Sequence, residues 1–518
     1  MERLGLAMRM GLGDAARPGR PGAHRTRIRI LLGVLMTALL IGGAVPYVAG
    51  PGRSYLSYLV LADRQDARGS ADAARQATAA GGRVVQEYPQ IGVVLAYATG
   101  GFADRLRGRP GIAAVGASRT TGVPGPPATL DGAGAFRDTR SDALDGGDDS
   151  DALTPDPGES ADWNLAMIGA AGAAGPSGQS GGPRPAALLR TTADAPSAQA
   201  LRRVLVAVLD SGVDDTHPDL RAAVDPGASV SCADGRPDPR YGAWRPDRGV
   251  TESGHGTHVA GIVGAAQDGK GVTGVAPGVR IAAVRLLGPL GQYYTENIIC
   301  GMLWSADHGA RAINDSYFAD PWKYNCASDP DQAALVQAVG RAVGYAQRQG
   351  AVVVASAGND GQDLGAVRRD QRSPNDRLSG PAHNRLLGTD CIRLPGELPG
   401  VLTVSALDRF GLPTSYSNYG RGRISIAAPG GEPDGGPLGA VVSDWPGGQY
   451  AALAGTSMAA AHVTGAVAVA AAAHPDWRPD RLVGLLADAA GSNCPYGTGA
   501  CVERQFFGAG VLALPGGG

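Results

Sequence analysis

The 518-residue sequence is short of lysine, of aromatic side chains and, before Cys232, of any cysteine. Lysine occurs at Lys270 and Lys323, so nearly all positive charge is arginine; this reads as codon bias and carries no function. Aromatics make up 5% of the chain against 80 glycines, a balance that favours close-packed elements and many turns. An excess of charge is also missing. The formal net charge is −2, which gives no basis for nucleic acid or an anionic membrane surface as a partner. No C-x-x-C pair or Cys/His cluster is present, so a zinc site of that kind is excluded. The six cysteines, Cys232, Cys300, Cys326, Cys391, Cys494 and Cys501, instead suit disulfides in an exported chain, with the pairing open. Cys494 and Cys501 flank a Gly-rich turn and are the pair expected first.

Long apolar runs are scarce too. Residues 30–45 form one, preceded by Arg17, Arg20, Arg25, Arg27 and Arg29 and followed by small residues at Ala49 and Gly50. That is the layout of a secretory signal peptide. The run also approaches spanning length, so two readings stand: a secreted chain, or one tethered by an uncleaved N-terminal helix. No second span and no C-terminal tail anchor are expected.

What is present is enough apolar content, 43%, for a large core and more than one domain. Residues 51–119 read as strand, helix, two strands, short helix and strand, the βαββαβ order of a small ferredoxin-like α+β domain. Residues 120–200 are rich in Pro, Gly, Asp and Ser and read as a disordered linker, interrupted by an apolar island at 163–170. From 201 to 514 strands and helices alternate. Val204–Leu209 is an almost continuous apolar run, as in a parallel strand buried on both faces. This half is expected to be a three-layer α/β/α domain with a mainly parallel sheet.

Three blocks carry chemistry. Asp210 ends the first apolar strand, where open parallel sheets place their sites, and a carboxylate there can hold an imidazole. His255 stands between Gly254 and Gly256 at a helix start. Ser457, in Gly455-Thr456-Ser457-Met458-Ala459, precedes a long apolar helix whose N-terminus favours developing negative charge. Taken singly, each has an ordinary explanation as a cap or structural residue. Together, in the order Asp, His, Ser, they resemble the three signatures of the subtilisin-like serine proteases, and Phe507-Gly508-Ala509-Gly510-Val511 resembles the family's C-terminal end.

The resemblance implies a serine endopeptidase acting on protein or peptide substrates. Ser457 would be the nucleophile, His255 the general base, Asp210 its orienting carboxylate and Asn359 the oxyanion-hole donor. It implies that residues 51–119 resemble an inhibitory propeptide, making the chain a self-processing zymogen cut between Ser118 and Trp163. The propeptide would act as an intramolecular inhibitor, and the enzyme as a monomer. It implies no cofactor for catalysis, but a structural calcium ion with Asp219 and Asp268 among its ligands. Two departures stand out. Ala459-Ala460-Ala461-His462 lacks the family's proline. Ser316, Tyr317 and Phe318 occupy the substrate-binding stretch where the family has smaller residues. A bridge between Cys326 and Cys391, tying this region to the long segment after Asn359, is a further expectation.

Overall fold

The computed structural model describes residues 55–123, 152–153, 163–170, 196–247, 249–250, 253–288, 291–376, 384–493 and 503–514. The signal-like run, most of the linker and the Cys494/Cys501 pair lie outside them.

The large domain is built on a seven-stranded sheet. Its order is Ile426–Pro429, Leu402–Leu407, Val352–Ser356, Ala312–Asp315, Leu205–Asp210, Arg280–Arg285 and Val230–Ser231, and every neighbouring pair is parallel. The central strand Leu205–Asp210 is buried along its whole length. Its side chains alternate between two cores, as the period of a strand requires. Val206 and Val208 join Val259, Val263, Val463 and Val467 from the helices His255–Gly264 and Thr456–Ala473. Leu205, Ala207 and Leu209 join Ile298, Met302, Leu335 and Val339 from the helices Thr295–Asp307 and Pro330–Arg348. Helices therefore cover both faces, giving three layers.

Residues 56–117 form the small domain with the expected element order. Its antiparallel sheet runs Arg83–Tyr88, Val93–Ala98, Leu56–Ala62, Ile112–Ala117. One face, with Tyr58, Val60, Val94 and Ala96, packs on its own helices through Ala73, Ala77 and Phe102. The opposite face, with Leu59, Leu61, Val93 and Leu95, belongs to the same core as the two helices 295–307 and 330–348. Alternation along these strands thus buries the small domain's second face against the large domain.

Several details differ from the sequence expectation. Within the linker, Ala152–Leu153 adds a third strand to the hairpin Val441–Trp445 and Gln449–Leu453. Neither Leu402–Leu407 nor the edge strand Ile426–Pro429, which is four residues long, was singled out from the sequence. The Thr456–Ala473 helix is long and apolar enough by composition to cross a membrane, but 89% of it is buried. It is the central helix of the core. Among the described residues two disulfides are formed, Cys326–Cys391 as expected and Cys232–Cys300, which the spacing did not single out.

Candidate active site

Asp210 is the last residue of the central strand and is fully buried. Its Oδ1 accepts the Ser211 backbone N–H at 2.7 Å and lies 2.8 Å from His255 Nδ1. His255 opens its helix, so the ring stands at the carboxyl edge of the sheet. Close approach of the two elements depends on glycine. A Cβ on Gly256 would fall 2.4 Å from the Gly212 carbonyl oxygen and 2.9 Å from Asp210 Cβ, and Gly212 itself has φ +116°, a conformation that suits glycine. Ser211 Oγ closes the junction, accepting the Gly256 N–H at 3.0 Å and donating to the Ser253 carbonyl at 2.7 Å.

Ser457 lies in the first turn of the Thr456–Ala473 helix, which begins two residues earlier than the sequence suggests. First-turn N–H groups have no partner within their own helix and so face whatever anion is placed there. Ser457 Oγ donates to the Ser316 carbonyl at 3.3 Å, and Ser316 Oγ donates to the Ser457 carbonyl at 3.2 Å. Ser316 directly follows the strand Ala312–Asp315, which pairs with the Asp210 strand. Two adjacent strand ends therefore hold the carboxylate–imidazole pair and the serine.

Asn359 follows the neighbouring strand Val352–Ser356 and is buried. Its Oδ1 accepts from the Thr456 backbone N–H at 2.9 Å and from Thr456 Oγ1 at 2.7 Å. A backbone N–H can only donate, so the amide orientation is fixed and the NH₂ group is left to donate elsewhere. Thr456 Oγ1 in turn accepts the Gly358 N–H at 3.0 Å. Thr456 was not singled out from the sequence, although it sits inside the serine block.

Two further histidines are locked neutral. His258 Nε2 lies 3.1 Å from both the Val441 and Ala451 carbonyls, and burial brings its pKa down to about 3. His462 Nδ1 faces the Met458 carbonyl at 2.7 Å, and its Nε2 lies 2.9 Å from Asn164 Nδ2. The carbonyl only accepts, so Nδ1 carries the proton and Nε2 accepts from the amide. Burial lowers this pKa to about 4. His462 thereby ties the Trp163–Met167 helix to the first turn of the serine helix, which runs unbroken past Ala461.

The other expected residues fall as follows. Ser316 touches Ser457. Tyr317 turns inward: its hydroxyl donates to Asp315 Oδ1 at 2.5 Å and its ring stacks on Tyr293, centroids 4.9 Å apart. Phe318 is buried beneath Arg393 and Lys323, 4.9 and 5.4 Å from its ring centroid. Asp219 is buried beside His217 and Asp444. Asp268 is exposed and accepts the Lys270 N–H at 3.2 Å.

A carboxylate–imidazole pair, a serine at a helix start and an oriented amide lie at strand ends of a parallel three-layer sheet, an arrangement suited to a serine hydrolase of the α/β class. The model of the subtilase family (Peptidase_S8) matches residues 202–510, more than half of the chain. The chain belongs to the subtilase family and so to the serine endopeptidases. It is 33% identical to fervidolysin of Fervidobacterium pennivorans over 309 residues, 55% of this chain and 37% of that protein. It is also 33% identical to subtilisin Savinase of Lederbergia lenta over 299 residues, 57% of this chain and 87% of that one. Among solved structures, the fold is similar to the epidermin leader peptide processing serine protease of Staphylococcus aureus, with TM-score 0.63 and 20% identity over 89% of this chain and 97% of that one. It is similar also to fervidolysin, with TM-score 0.57 and 25% identity over 90% and 61%.

Proposed function

We propose that the chain is an exported endopeptidase made as a zymogen. In this reading Ser457 Oγ attacks the scissile carbonyl and His255 takes its proton, later returning it to the leaving amine. Asp210 fixes the imidazole tautomer and stabilises its charged form. The Asn359 amide and the Ser457 backbone N–H receive the oxyanion. The observation that carries the reading is the 2.8 Å contact between Asp210 and His255 at the strand end beside the serine helix. The test is reaction of the purified chain with a fluorophosphonate probe, with casein hydrolysis followed alongside. A single adduct on the Ser457 peptide, lost in Ser457→Ala together with casein cleavage, is expected. Labelling elsewhere with full activity in Ser457→Ala would overturn it.

The small domain serves as the inhibitor in the same reading. Glu296 Oε1 receives Ser57 Oγ at 3.0 Å and Arg119 Nε at 2.8 Å. Asp331 Oδ1 accepts from Arg107 and from the Ala117 N–H, and Asp376 accepts the Thr120 N–H at 2.7 Å. The inhibitory domain and its exit strand are thus held by three carboxylates of the enzyme. The Cys326–Cys391 bridge and the Lys323–Asp360 ion pair fix the segments flanking Phe318 and Asn359, which favours narrow rather than broad substrate choice.

A structural divalent cation belongs to this reading too. Asp444 is fully buried against Asp219, with His217 Nδ1 3.6 Å from its Oδ1. Burial, with Asp219 beside it, pushes its carboxyl well above the usual range, a situation that a cation reverses. Asp219 and Asp444 offer the oxygen donors calcium prefers, although Asp219 Oδ2 already accepts from the Val272 N–H and the Tyr450 hydroxyl, each at 3.2 Å. Chelation with EDTA is expected to lower the melting temperature, and calcium to restore it. An unchanged melting temperature would remove the ion from the account.

A further inference from the structure

Asp315 is a buried carboxyl that the mechanism above does not use. It ends the strand Ala312–Asp315 and pairs in register with Leu209, the residue before Asp210. Both residues have no solvent exposure. Asp315 Oδ1 accepts the Tyr317 hydroxyl at 2.5 Å, and Tyr317 stacks face to face on Tyr293 with an interplanar angle of 9°. The Tyr293 hydroxyl lies 3.4 Å from Asp210 Oδ1. A chain of contacts therefore runs Asp315, Tyr317, Tyr293, Asp210, His255. The second oxygen of each carboxyl, Oδ2, is buried with no hydrogen-bond partner, and among the described residues no cation is ion-paired with Asp315.

A carboxyl placed so is costly to ionise and is not explained by packing, for which an apolar residue would serve better. We propose that Asp315 is a positioning and tuning residue for the reaction: with Tyr317 and Tyr293 it braces Asp210, and its own charge state sets how tightly His255 holds a proton. This rests on the reading of His255 as the general base. The groups that face Asp315 are few. Asp210 comes from the adjacent strand, Tyr317 from its own chain, and Tyr293 from the segment before the Thr295–Asp307 helix. The strand on its other side, Val352–Ser356, pairs Ala355 with it and carries no charge. The only histidine of the serine helix, His462, is committed to Met458 and Asn164. Burial raises the Asp315 carboxyl to about 7, opposed by the Tyr317 hydroxyl and reinforced by the charge on Asp210. Each added negative charge near the pair favours the imidazolium.

The sign follows. An ionised Asp315 strengthens the hold of His255 on its proton, so it moves the acid limb of kcat/KM to higher pH. Asp315→Asn removes that charge and keeps an acceptor for Tyr317. It is expected to move the acid limb down by about 0.5–1 pH unit. Tyr317→Phe withdraws the hydroxyl that favours the ionised form, and is expected to move the limb the same way by less. The measurement is kcat/KM for casein against pH on the enzyme matured from the full-length chain of wild type and both variants. Active enzyme is counted by fluorophosphonate titration, so a variant that folds poorly is still read on its active fraction. Downward shifts in both variants support the proposal. An unmoved acid limb in Asp315→Asn, or an upward shift in either variant, overturns it while leaving the triad intact. Activity that survives His255→Ala would instead overturn the underlying catalytic reading.

Discussion

At the residue scale, the site depends on donors and acceptors whose roles are fixed by what they cannot do. Asn359 is an oxyanion donor in this account because the Thr456 N–H claims its oxygen. Asn359→Ala removes one donor without touching Asp210, His255 or Ser457. A fall in kcat of about 10²–10³-fold with little change in KM is expected, the range known for the corresponding loss in subtilisin. Steady-state kinetics on a peptide substrate check it; a change confined to KM would assign Asn359 to substrate binding instead. Asp210, His255, Asn359 and Ser457 could be proposed from the sequence because each lies in a recognisable block; for His255 and Asn359 the block holds a glycine that close approach requires, Gly256 against Asp210 and Gly358 against Asn418. Asp315 and Tyr293 were not legible. Their meaning comes from a neighbouring strand and a stacked ring, and nothing in their own flanking residues signals either.

At the element scale, the serine helix is the joint of the molecule. It carries Ser457, supplies the Thr456 contacts to Asn359, and is tied through His462 to the Trp163–Met167 helix. That tie exists with His462 neutral, and its pKa is depressed in the folded protein to about 4. A depressed histidine contributes stability that is present above its unfolded value near 6.5 and is lost as pH falls from there toward about 4. In a Ser457→Ala background, His462→Gln is therefore expected to destabilise most at pH 7.5. The gap from the parent should shrink by about 2 kcal/mol at pH 5, at about 1.4 kcal/mol per pH unit. His258 and Asp315 titrate in both proteins and cancel in the difference. Denaturant melts at the two pH values read this directly, and a gap independent of pH would contradict a buried neutral His462. The sequence showed the helix and the missing proline, but the partner Asn164 lies 298 positions away, beyond any local pattern.

For the whole molecule, strand alternation explains how the small and large domains share one core. The face with Leu59, Leu61, Val93 and Leu95 is as apolar as the face that meets its own helices, so the small domain is built to be covered on both sides. The βαββαβ order and the parallel α/β alternation were both readable in advance, because each is written in short-range periodicity. The two-residue strand Ala152–Leu153 was hidden by linker composition, since it is held by hairpin backbone at Tyr450 and Ala451. The Cys232–Cys300 bridge was hidden because it joins the end of the two-residue strand Val230–Ser231 to the Thr295–Asp307 helix, a proximity set by tertiary packing.

The central claim is that Ser457 both performs the hydrolysis and releases the small domain from the chain it inhibits. The most direct measurement is a time course of purified full-length wild type beside Ser457→Ala, followed by gel and N-terminal sequencing. The account predicts that wild type alone shortens, with a new N-terminus between Ser118 and Trp163, and that casein cleavage rises as the shortened form accumulates. Shortening of Ser457→Ala at the wild-type rate, in the absence of any other protease, would contradict it.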